Sequence, residues 1–63
     1  MSIDKILQEI GTLSYYIYNK DNKIFNTSSD TMYQMKEYVK IIELLNKREI
    51  NFTISNKNDI KII

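Results

Sequence analysis

The spacing of apolar residues changes period three times along the chain, which rules out an all-helical or an all-strand fold. Ile3, Ile6, Leu7 and Ile10 recur at helical intervals. Leu13, Tyr15 and Ile17 then alternate with Ser14, Tyr16 and Tyr18, the period of a strand. Met32, Met35, Tyr38, Val39, Ile42 and Leu45 return to helical spacing, and Ile50, Phe52 and Ile54 alternate once more. Punctuation agrees with the pattern. Ser2 is a candidate N-cap, Asp4 suits the positive end of a helix, and Gly11 stands where a left-handed C-terminal cap needs a glycine. Asn19-Lys20-Asp21-Asn22 is turn material, after which Lys23-Ile24-Phe25-Asn26 can return, giving a hairpin from Leu13 to about Asn26. Thr27-Ser28-Ser29-Asp30 is a cluster of cap formers ahead of a helix predicted over Asp30 to Lys47. Asn56-Lys57-Asn58-Asp59 turns a second hairpin into Ile60-Lys61-Ile62-Ile63, so an ordered C-terminus is expected.

These elements predict a single small α+β domain over residues 1–63, in the order αββαββ, with a four-stranded antiparallel sheet and two helices packed on one face. The inward set is predicted as Leu13, Tyr15, Ile17, Ile50, Phe52 and Ile54, joined by Ile24 or Phe25 and by Ile60 or Ile62. The opposite side of the second helix would carry Gln34, Lys36, Glu37, Lys40 and Glu43. Strand order is not fixed by these patterns. The two hairpins also match each other at an offset of 37, Leu13 falling on Ile50 and Tyr15 on Phe52, while the helices match one residue adrift. A repeated helix-hairpin unit, 2–26 and 30–63, is one reading. Chance matching of periodic, Asn- and Lys-rich segments is the other.

Several kinds of chemistry lack their residues. The chain has no His and no Cys, which removes the usual general base, the thiol nucleophile and the common zinc-ligand sets. One glycine cannot build a phosphate-binding loop. The carboxylates Asp4, Glu9, Asp21, Asp30, Glu37, Glu43, Glu49 and Asp59 are dispersed and read as solvated charges. No enzyme activity, cofactor or metal is expected. With no long apolar run, neither a membrane span nor a signal peptide is expected, and a cytoplasmic location is the default. A chain of 63 residues buries only about 60% of its unfolded surface, so self-association is expected to supplement a small core.

Two surfaces are candidates for binding. Tyr16 and Tyr18, predicted to face away from the core, would stand beside Lys20, Lys23, Lys57 and Lys61, a grouping able to stack a base and hold a phosphate. Cross-strand packing, in which a tyrosine is simply a good strand residue with a polar tip, explains them more simply. On the second helix, Met32, Tyr33 and Met35 suit an adaptable interface, with Ile41 and Leu44 widening the apolar stripe. The functional expectation is a binding protein. Ile, Lys and Asn supply 27 of 63 residues, the usage of AT-rich coding, which suits a small phage- or plasmid-type inhibitor. Such an inhibitor would act as a homo-oligomer that blocks a host defence protein or sequesters a nucleotide signal. The alternative is a nucleic-acid-binding regulator, against which the net charge of +1 weighs.

Overall fold

The chain runs α1 (Ile3–Ile10), β1 (Tyr16–Asn19), β2 (Ile24–Thr27), α2 (Met32–Lys47), β3 (Phe52–Ile54) and β4 (Ile60–Ile62), the predicted order. The computed structural model describes residues 3–27 and 32–63, without the side chain of Tyr33. Ser2 and the caps Ser28, Ser29 and Asp30 therefore lie outside the described residues. The strands form one antiparallel sheet in the order β1-β2-β4-β3, which places the second strand of each hairpin at the centre.

Each helix ends on a left-handed residue. Gly11 has φ 78°, and its N–H donates to Leu7 O at 3.2 Å, the bond that closes a left-handed cap. At the end of α2 the same conformation falls on Glu49, with φ 58°. There Ile50 N–H donates to Leu45 O at 2.9 Å and Glu49 N–H to Asn46 O at 3.1 Å, the paired bonds of a Schellman motif. Ile50 and Leu45, both buried, supply the apolar contact that accompanies it. The turns use side chains instead. Asn19 Oδ1 accepts the N–H groups of Asp21 and Asn22, while Ser55 Oγ accepts those of Lys57 and Asp59.

The core lies between the helices and one face of the sheet. It comprises Ile6 and Ile10 from α1, Ile41 and Leu45 from α2, Tyr16, Phe25, Ile60 and Ile62 from the strands, and Ile50. This corrects the predicted inward set in β1. Tyr16 is 1% exposed and Tyr18 half-buried, whereas Ile17 is 75% exposed and Tyr15 only half-buried. The segment Tyr15-Tyr16-Ile17-Tyr18 is apolar or aromatic on both faces, so alternation could not fix its phase, and a one-residue slip inverts every side chain. The strand starts carry the same shift. β1 and β3 begin at 16 and 52, β2 and β4 at 24 and 60, an offset of 36 in each case rather than 37. Phe25 is chosen over Ile24, and both Ile60 and Ile62 are inside. Ile54 shares their face but remains 42% exposed on the edge strand β3.

The two helix ends predict opposite responses to glycine chemistry. Gly11→Ala meets no steric obstacle, since nothing lies within 4 Å of an added Cβ, and should still cost about 1 kcal/mol for its left-handed backbone. Glu49→Gly should gain up to about 1 kcal/mol by relieving that cost. Urea denaturation of both variants beside the parent checks the two signs.

Candidate functional site

Burial changes what the tyrosines can do. The Tyr16 ring sits beneath the helices, its hydroxyl donates to Asn58 O at 2.6 Å, and Gln34 Nε2 donates to that hydroxyl at 3.3 Å. Gln34, predicted on the solvent side of α2, is 1% exposed. Burial pushes the Tyr16 phenol up to about 12, and it raises Tyr18 as well. Tyr18 faces its cross-strand partner Phe25 with ring centroids 4.7 Å apart. Both rings thus belong to the core side of the sheet, correcting their placement on an open base-stacking surface.

Nor is Glu37 a solvated charge. Its carboxylate accepts the backbone N–H groups of Ser14, Tyr15 and Tyr16 at 2.9, 2.9 and 3.1 Å, anchoring the start of β1 to α2. Asp59 similarly accepts the Thr27 N–H at 2.9 Å, joining the β3–β4 turn to the end of β2. Lys40 Nζ donates to Ile10 O at 3.0 Å, a cation at the negative end of α1. Arg48 pairs with Glu9, and that hydrogen bond holds the Glu9 carboxyl below its ordinary range.

The lysines are exposed but divided. Lys61 lies on the outer face of the sheet opposite Ile24, whereas Lys23, in the turn before β2, is level with Ile62, whose N–H donates to Lys23 O at 2.8 Å. Lys20 shares the same turn. Lys57 belongs to the β3–β4 turn, whose Asn58 O meets Tyr16 at the other end of the sheet. One phosphate site from all four lysines is therefore not assembled.

Two other exposed surfaces are. Residues directly opposite each other across antiparallel strands share a face, so the row Asn19, Ile24, Lys61 and Thr53 crosses all four strands on the side away from the helices. Ile17 and its partner Asn26 extend it. Of these six only Ile24 is even half-buried. On α2, Met32 is 80% exposed, Met35 44% and Val39 47%. Ile41 is fully buried and Leu44 half-buried against the core, so neither belongs to that stripe as predicted. The Tyr33 side chain lies outside the described residues. No helix of the described residues is long and apolar enough to cross a membrane, and none of their His, Cys, Asp and Glu groups forms a cluster able to hold a metal.

The fold and these surfaces define a small α+β domain with an open sheet face and an apolar outer helix face. No protein-family model matches the chain, and comparison with curated proteins and with solved structures returns no match.

Glu37→Ala should cost about 2–3 kcal/mol, because three N–H groups lose a charged acceptor. Chemical denaturation followed by circular dichroism measures it. Tyr16 gives a pH signature. Below about pH 10 the phenol is neutral in both states and stability is unaffected. Between about 10 and 12 the unfolded chain releases the proton first, so stability falls as pH rises through that window. In Tyr16→Phe that alkaline decline should shrink, as thermal melts from pH 8 to 12 would register.

Proposed function

We propose that this chain is a non-catalytic binding protein, a small phage- or plasmid-type inhibitor that works as a homo-oligomer and blocks a host defence protein. The observation that carries this reading is the uncovered outer face of the sheet. Both helices pack against the other side, leaving Ile17 at 75% exposure beside half-buried Ile24, with Asn19, Asn26, Thr53 and Lys61 around them. Adjoining isoleucines flanked by polar side chains give that face an apolar patch of the kind protein interfaces use. Capture of a nucleotide is less well supported, because the Tyr16 hydroxyl is already engaged by Asn58 and Gln34 inside the fold. A nucleic-acid-binding role draws on the exposed Lys61 of the outer face and on the exposed Lys20 and Lys23 of the β1–β2 turn at the same end of the sheet.

Native mass spectrometry of the protein recovered from its own host cells, with Ile17→Asp in parallel, tests the proposal. Ile17→Asp should change stability by less than about 0.5 kcal/mol, since the side chain is exposed. A protein partner should accompany the parent chain, survive added salt and be lost at least about tenfold in the variant. A nucleotide-sized adduct, or association that collapses steeply with salt, would overturn the protein-blocking reading.

A further inference from the structure

The outward side of α2 carries a seam. Met32, Met35, Val39, Ile42 and Asn46 follow one another at intervals of three, four, three and four, the a and d positions of a heptad. A separate stripe, Gln34, Tyr38, Ile41 and Leu45, faces the core, and among the described seam residues only Ile42 also packs against it. Met32, Met35, Val39 and Asn46 are exposed, and Ile42 is half-buried at the flank. Lys36 and Glu43 occupy the adjoining e positions, also exposed.

We propose that α2 pairs antiparallel with α2 of a second copy of this chain about a two-fold axis; this rests on the homo-oligomeric binding reading above and names the occupant of the helix face. The register that seats Val39 against the partner's Ile42 also seats Met35 against the partner's Asn46. That register brings Lys36 beside the partner's Glu43, and the two-fold axis repeats every contact. Charge complementarity is thus built into one helix face, and a parallel pairing would not use it, because Lys36 and Glu43 do not meet in that arrangement. The 16 residues of α2 span about 24 Å, just over two heptads, so the contact is smaller than a standard interface of about 800 Å² per partner. A weak, concentration-dependent dimer is the expected product.

Sedimentation equilibrium over micromolar to millimolar concentrations reads it directly. The mass should rise from 7.5 kDa towards twice that value. Val39→Glu should weaken association at least about tenfold by burying a charge in the seam, with unchanged circular dichroism. Lys36→Glu and Glu43→Lys should each weaken it roughly fivefold through facing like charges. Mixed in equal amounts, these two variants should recover the parent's association, because each supplies the charge the other needs. A parent chain that stays monomeric throughout, or a mixture no tighter than either variant alone, would overturn the pairing. A monomer that still retains its protein partner through Ile17 overturns the pairing alone, whereas a dimer that retains no partner supports the pairing and counts against the inhibitory reading.

Discussion

The hydroxyl of Tyr16 is where the sheet, the long helix and the second hairpin meet. It donates to Asn58 O in the β3–β4 turn and accepts from Gln34 on α2, so one buried phenol joins three parts of the chain. Turning β1 over would bring Tyr15 and Ile17 inside and take this partner from the buried Gln34, a lost hydrogen bond worth about 1 kcal/mol. The facing of β1 and the burial of Gln34 are therefore one choice made together. Among the described residues, no buried side-chain nitrogen or oxygen lacks a hydrogen bond.

That joint choice explains which parts of the fold were legible in the sequence. The order of elements, both turns and the helix ends follow from local rules that act over a few residues, such as Asn19 closing its own turn and Gly11 accepting a left-handed backbone. The phase of β1 does not, because Tyr15 and Ile17 compete with Tyr16 and Tyr18 for the same core and only distant partners decide between them. The helix was misread for a different reason. Two stripes at three-four spacing run along α2, and merging them assigned Ile41 to the surface and Gln34 to solvent. Following Gln34, Tyr38, Ile41 and Leu45 as a separate stripe would have found the buried side. Glu37 had no local signal, since its three acceptor contacts reach back 21 to 23 residues.

A domain this small has room for one core layer, and its placement decides which surfaces remain. With both helices on one side of the sheet, the open sheet face and the exposed seam of α2 lie on different parts of the surface. Pairing through the helices would leave the outer sheet face of each copy uncovered. The proposed target recognition and the proposed self-association would then draw on different residues, so either could vary without disturbing the other.

The Glu37 carboxylate has one more consequence. β1 is an edge strand, and its backbone donors would ordinarily invite another chain to add on. At its first residue, Tyr16, and in the two residues before it, the backbone donors are already filled by a side chain of the same molecule. A strand adding at the start of β1 would have to dislodge Glu37, so the residue that anchors the strand also obstructs sheet extension at that end of this edge.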